Sequence, residues 1–316
     1  MHIKGKIKAA QQILKQGGVL NRFLKTNLSK YDFFWRFLNK KSNRRYQACE
    51  RKDSAFIRGV ISEVNEIGYS KRSLSEMINS DELDELYDEI SMRFRRPPRR
   101  KDSSWVSSKN YIDYYEGGFY PELQDYNPAN IFHRLAIHED ILEIVHTYFD
   151  AIGHLCHIEL NQCNVIESGD DIEGSQRPHR DPALRYSLKV FIYWSDVSDD
   201  DGPFSYCPKT HFKGDRNDLA PRKKLFGGSY YPHQDELKSA RFDNLIGSKG
   251  TIIFCDTSGL HFGGIALKNP RRMSTFVYYP EVDILQPRLK ISEAEPMFSD
   301  LKTRQKITLG HLNADL

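Results

Sequence analysis

The stretch "QRPHRDPALRYSLKVFIYW", residues 176–194, sets a His-x-Asp triplet (His179, Asp181) directly ahead of a long apolar run. On a strand, residues two apart point to the same face, so a triplet leading into "YSLKVFIYW" can grip one ion. His-x-Asp occurs three times among eleven histidines: His138/Asp140, His179/Asp181 and His233/Asp235. His138/Asp140 falls inside the helical pattern "IFHRLAIHEDILEIVHTYF". There i and i+2 lie about 200° apart and cannot share a metal. His233/Asp235 opens "HQDELKSARFDNL", where Asp235 is better placed to cap a helix. Only His179/Asp181 has the geometry of a clamp. His157/Glu159 also sits on a strand, but nothing near it supplies the rest of a site, and His157 reads as an ordinary sheet histidine.

Outward from the triplet, the chain changes character near residue 153. After it, "HLCHIELNQCNVI", "SLKVFIYW", "PFSYC", "GTIIFCD" and "MSTFVYY" are short β-branched and aromatic runs separated by Gly, Pro and Asp. Before it, Phe56, Ile57, Val60, Ile61, Val64 and Ile67 recur at helical spacing, "SLSE" (Ser73 to Glu76) has the capping-box pattern, and "SDELDELYDEISMRF" reads as a helix stopped by Pro97-Pro98. Residues 102–127 show no period and read as a long aromatic loop. Helices first and many short strands after predict a mainly β fold with a helical N-terminal part, a sandwich or barrel flanked by helices. Residues 1–52 are expected to form a basic helical arm, and 53–316 a single domain.

A chain of 316 residues can bury a substantial core. No apolar run approaches the ~20 residues that cross a bilayer, and no apolar segment follows the basic N-terminus as a secretory signal requires. The five cysteines (Cys49, Cys156, Cys163, Cys207, Cys255) form no Cys-x-x-Cys pair, which argues against a disulfide framework, a zinc knuckle or an iron–sulfur site. A cytoplasmic setting is the expectation. Residues 1–50 hold twelve Lys/Arg against Asp32 and Glu50, so the remainder carries −7 against an overall +3.

Two ligands need a third. A 2-His-1-carboxylate facial triad holds iron(II) on one face and leaves three positions open. The best distal partner is His261 in "GTIIFCDTSGLHFGG", where a strand is followed by a tight Gly-bounded turn. His211 in "CPKTHFKG" competes, but its polar turn suits a structural role. Eleven residues past His261 comes Arg272, with Ser274 two further on, both expected on one face of "RMSTFVYY". An inward arginine needs an anionic partner, and its fork binds a carboxylate bidentately with a serine hydroxyl adding a bond. That arrangement suits a 2-oxo dicarboxylic acid that chelates iron at its other end. The alternative is a surface Arg271-Arg272 pair in a turn after Pro270.

The order "HRD", "DGPFSYCPKTHFKG", "GTIIFCDTSGLHFGG", "NPRRMST" resembles the phytanoyl-CoA dioxygenase family of iron(II)/2-oxoglutarate-dependent oxygenases, over about residues 155–280. The resemblance implies a double-stranded β-helix (jelly roll, cupin-like). His179, Asp181 and His261 would ligate iron, Arg272 and Ser274 would hold the far carboxylate of 2-oxoglutarate, and Trp194 would line the cosubstrate pocket. It further implies that O2 takes the third open position and that a C–H bond of a small-molecule, lipid or sugar substrate is hydroxylated with release of succinate and CO2. Related halogenases lack the carboxylate, so Asp181 favours hydroxylation. Two departures stand out. The turn reads Pro208-Lys209-Thr210-His211 where the family has Pro-Gly-Ser-His, and Pro178 replaces the usual aromatic, leaving Gln176 as the nearest polar residue. Lys189, unusual in such a strand, either meets an anionic group of cosubstrate or substrate or faces outward.

Two other classes stay open: a non-catalytic jelly-roll metal protein, and a membrane- or nucleic-acid-binding protein driven by the arm. Residues 1–31 contain no acid, and Ile3, Ile7, Leu14, Leu20, Leu24 and Leu28 recur near helical spacing among lysines. Such a segment can lie on an anionic membrane or pack on the acidic body. Nucleic acid is less favoured, for want of a matching basic groove.

Overall fold

A computed structural model describes residues 28–95, 111–117, 131–166, 174–183, 185–216, 219, 229–282 and 298–311. Its first half is helical: α1 (Asp32–Ala48), α2 (Ala55–Ile67), strand β1 (Tyr69–Ser73), α3 (Ser80–Arg95), strand β2 (Tyr111–Gly117), α4 (Ile131–Ala136) and α5 (Glu139–Phe149). The strands β3 (Gly153–Cys163), β4 (Leu188–Tyr193), β5 (Phe204–Tyr206), β6 (Asp243–Leu245), β7 (Thr251–Asp256), β8 (His261–Gly263) and β9 (Arg271–Pro280) follow, then α6 (Thr303–Thr308). Helix α2 shows how local chemistry sets an element. The Ser54 hydroxyl caps it by accepting from the Ile57 amide, Ile57, Val60 and Val64 turn inward, and Gly68 at φ 97° ends it in the left-handed conformation.

Six strands pair antiparallel in the order β1-β7-β4-β9-β3-β2, and three more in the order β6-β5-β8. Between the two sheets lies a core of Phe191, Tyr193, Ile253 and Met273 against Phe204, Tyr206 and Leu245. The other face of the large sheet presents Val190, Ile192, Phe254 and Phe276 to Val60, Val64, Ile141 and Val145 of the helices. Each such buried side chain contributes about 1.5–3 kcal/mol. Two facing antiparallel sheets with helices on one outer face make a jelly roll.

Several local expectations change. Residues 131–149 form two helices, because the chain breaks at Ile137-His138 and His138 becomes the N-cap of α5, its Nδ1 accepting from the Asp140 amide at 3.3 Å. Part of the expected aromatic loop is β2, which pairs with β3 at the sheet edge. The "SLSE" capping box is present, on a single 3-10 turn. In "HQDELKSARFDNL", a short 3-10 turn is capped by His233 with Glu236, and β6 follows it. Asp235 pairs with Lys238 at the surface.

Helix α1, inside the segment expected as an arm, packs on the rest of the chain. Trp35 of α1 belongs to the main core, and Tyr46 packs with Ile152 and Ile307. Residues 1–27, most of the segment read as a membrane contact, lie outside the described residues. All five cysteines are buried and unpaired with one another. No helix among the described residues is long and apolar enough to cross a membrane.

Candidate metal centre

The two histidines are brought together by the backbone. His179 and His261 exchange both amide–carbonyl hydrogen bonds, at 2.9 and 3.0 Å, as an isolated antiparallel bridge. Their rings therefore stand on the same side, centroids 4.2 Å apart. The Asp181 amide donates to Thr257 O at 3.0 Å, which returns its carboxylate to that side. Arg180, between them, points the other way and is 1% exposed. Its guanidinium donates to the carbonyls of Thr210, Ser258 and Leu219, tying together the turns that carry the site.

The turn that delivers His261 is pinned by Asp256. Its carboxylate accepts from the Tyr148 hydroxyl (2.5 Å) and from the Ser258 (2.9 Å) and Ser187 (3.3 Å) amides. Gly259 is required by close approach, since a Cβ there would lie 2.0 Å from the Tyr206 hydroxyl. His211 is fully buried and its Nε2 donates to Asn65 O at 3.1 Å.

One ligand atom from each of His179, Asp181 and His261 lies within 4.8 Å of the others. Both His Nε2 atoms are 3.7 Å from an Asp181 oxygen. Each Nδ1 faces a carbonyl, Arg177 O at 2.8 Å and Gly259 O at 3.0 Å. A carbonyl only accepts, so each Nδ1 carries the proton and each Nε2 presents a lone pair. Burial lowers the His179 pKa, and burial together with the His179 ring presses His261 down to about 3, so both rings are neutral near pH 7. Burial alone would raise the Asp181 pKa. The Lys189 ammonium, 2.6 Å from Oδ2, and the two imidazoles override it and hold the carboxyl well below the usual range. Two neutral imidazoles and one carboxylate are a donor set suited to a divalent transition metal.

Beside the triad is a cavity of about 100 Å³, lined by Glu159, Asn161, Lys189, Phe191, Phe204 and Thr275 among others. Lys189 therefore takes the inward of its two expected orientations. Removing it by Lys189→Met leaves Asp181 without its cation and should lower the stability of metal-free protein by about 1–2 kcal/mol, less than a sealed pair because Lys189 keeps 19% side-chain exposure. Added divalent metal should then raise the melting temperature more in the variant than in the wild type. Equal shifts would mean that Lys189 and the metal do not share Asp181.

The expected faces of β9 are exchanged. Met273 and Thr275 line the cavity, and Arg271, of the same parity, is fully buried. Arg272 lies on the opposite side, where its Nε donates to Gln162 Oε1 at 2.9 Å and its guanidinium sits 5.0 Å from the Phe94 ring. Ser274 is buried against Leu160 and Ile192 in the sheet that faces the helices. The register is set by Phe276 and Tyr278, which pack toward the helices, Tyr278 donating to Ala136 O. A strand's faces alternate, so those two aromatics carry Ser274 and Arg272 with them. Trp194 is likewise in the helix-side core, edge-on to Tyr87, and does not line the cavity. Gln176 is buried, its amide nitrogen 3.7 Å from Cys163 Sγ.

Glu159, set aside with His157 on sequence grounds, and Asn161, which the sequence did not single out, both line the cavity. His157, Glu159 and Asn161 recur at period two along β3, and that polar stripe is the sequence signal for them. Asn161 is 2% exposed, and its Oδ1 has no hydrogen-bond partner among the described residues.

No family model and no curated protein matches the chain by sequence. Solved structures match by fold. The epimerase SnoN in complex with Fe3+, alpha ketoglutarate and nogalamycin RO superposes with a TM-score of 0.53 at 16% identity, covering 72% of this chain and 85% of that one. EctD from S. alaskensis in its apoform gives 0.52 at 16% identity over 82% and 87%, and the same protein with bound Fe gives 0.51 at 15% over 79% and 84%. The chain has the jelly-roll fold of these proteins, with helices flanking antiparallel sheets.

Proposed function

We propose that this chain is an iron(II)/2-oxoglutarate-dependent oxygenase that hydroxylates a C–H bond of a small molecule, with release of succinate and CO2. The observation that carries this reading is the convergence of His179 Nε2, His261 Nε2 and the Asp181 carboxylate, with both Nδ1 protons committed to carbonyls. The fold shared with SnoN in its Fe3+ and alpha ketoglutarate complex agrees with it. When bound, iron(II) supplies the oxygen-dependent chemistry that decarboxylates 2-oxoglutarate. His179, Asp181 and His261 would hold it by three donors on one side. Arg271, in place of Arg272, would hold the far carboxylate, because it shares the parity of the cavity-lining residues. Lys189 orients Asp181 and leaves its remaining ammonium protons for a carboxylate in the cavity. Phe191 and Phe204, with ring centroids 4.4 Å apart, wall the cavity with apolar surface that restricts water. The substrate class proposed is a small molecule, lipid or sugar, with an anionic or lipid-linked group allowed.

The test is to incubate the purified protein with iron(II), ascorbate and 2-oxoglutarate under air. Slow succinate formation is expected without added substrate, and it should stop when a chelator removes the metal. A protein that binds iron(II) and makes no succinate under any condition would be the non-catalytic metal protein instead.

A further inference from the structure

Helix α1 carries aromatic side chains on both faces, burying Trp35 and Tyr46 and leaving Phe33 and Phe37 outside. A surface helix ordinarily turns its apolar side chains inward and its polar ones to water. In α1 the buried positions are Trp35, Asn39, Ser42 and Tyr46, whereas Phe33 is 83% and Phe37 65% exposed. Hydrogen bonds hold the inner side. Ser42 Oγ accepts from the Ile152 amide (2.9 Å), Asn43 Nδ2 donates to Asp150 Oδ1 (2.8 Å) and the Tyr46 hydroxyl donates to Glu143 Oε1 (3.0 Å). The helix is thus seated without its two outward phenylalanines.

Those phenylalanines are not alone. Phe33, Arg36, Phe37, Lys40, Lys41 and Arg44 are all exposed and recur three and four residues apart, forming one stripe. Residues 33–49 contain no Asp or Glu, and no ion pair joins Lys40, Lys41 or Arg44 to an acid among the described residues. Large apolar side chains left in water beside cations mark an interaction surface.

We infer that the outer face of α1 is a docking surface for an anionic lipid membrane, with Phe33 and Phe37 entering the headgroup boundary and Arg36, Lys40, Lys41 and Arg44 meeting lipid phosphates. Charge selects this occupant. Residues 1–31 carry seven Lys/Arg and no acid, so that segment would bring like charge to the stripe, and a second copy of α1 would do the same. An anionic bilayer brings opposite charge together with an apolar layer for the rings, and alternation of both along one helix is the pattern of an in-plane interfacial helix. The inference is independent of the oxygenase reading.

The full-length protein is to be sedimented with phosphatidylcholine vesicles with and without phosphatidylserine, beside Phe33→Ser/Phe37→Ser and Lys40→Gln/Lys41→Gln variants. Wild type should bind only the phosphatidylserine vesicles, and salt should weaken that binding. The lysine pair should lower affinity about 25-fold, at roughly fivefold per cation near an anionic surface. The phenylalanine pair should abolish binding with an unchanged melting temperature. Undiminished binding by both variants would overturn the inference in favour of residues 1–27. A fall in melting temperature or in oligomer mass on the phenylalanine change would show the stripe covered by the chain itself or by a second copy. Binding to an oligonucleotide and to neither vesicle would make the partner a nucleic acid.

Discussion

Asp181→Ala is expected to abolish iron(II) retention and 2-oxoglutarate turnover while the protein stays folded. The carboxylate is the one anionic member of the triad, and the two imidazoles that remain are both neutral near pH 7. Even partners that only orient a ligand cost about 10–100-fold in metal affinity when removed, so loss of a ligand should exceed that range. The fold should survive because Lys189, the cation left behind, is 19% exposed and can turn to water. His261→Ala should have the same effect. The matched control is His138→Ala, which removes an N-cap from α5 and should cost about 1 kcal/mol of stability with iron retained. Iron content after desalting and succinate yield are the two measurements. Iron kept by Asp181→Ala and lost by His138→Ala would place the metal at His138/Asp140 instead.

Arg271→Ala should raise the Michaelis constant for 2-oxoglutarate by one to two orders of magnitude, and Arg272→Ala should change it little. Loss of a charge-assisted bidentate pair costs about 2–3 kcal/mol, and each ~1.4 kcal/mol is tenfold. Arg272 instead spends its Nε hydrogen bond on Gln162, on the far side of the sheet. Because Arg271 is fully buried, the alanine variant can also lose stability, so Arg271→Lys is a necessary companion. It keeps the charge and loses the fork, and should recover only part of the affinity. Iron(II) retention should be unaffected at either position. An effect confined to Arg272, or equal at both, would show that the parity of β9 does not govern cosubstrate binding.

That parity could not be read from "RRMSTFVYY". Both faces of the large sheet are buried, one against the helices and one against the smaller sheet, so β9 is apolar on both sides and alternation carries no signal. Arg272 and Ser274 share one face of β9, and that face is turned to the helices. A one-residue slip moves every side chain to the other face, and Trp194 lies on the helix side for a separate reason, since it continues the alternation of Val190 and Ile192 on β4. The polar stripe of β3 was legible by the same rule, since Glu159 and Asn161 are two apart on a strand.

The sequence by itself determined the trend from helices to strands, the apolar face of α2 and the pairing of His179 with Asp181 as a candidate clamp, because each follows from spacing along one segment. At His179/Asp181 the i, i+2 rule needs only a strand-like backbone, and in α2 the recurrence of Ile57, Val60 and Val64 needs only a helix. Only the tertiary structure decided that Lys189 meets Asp181, that Arg271 has the parity of the cavity-lining residues, and that α1 seats Trp35, Asn39, Ser42 and Tyr46 and leaves Phe33 and Phe37 in water. Those outcomes depend on which of two buried or two amphipathic faces finds a complementary surface elsewhere in the chain, and that is settled by packing between segments far apart in sequence.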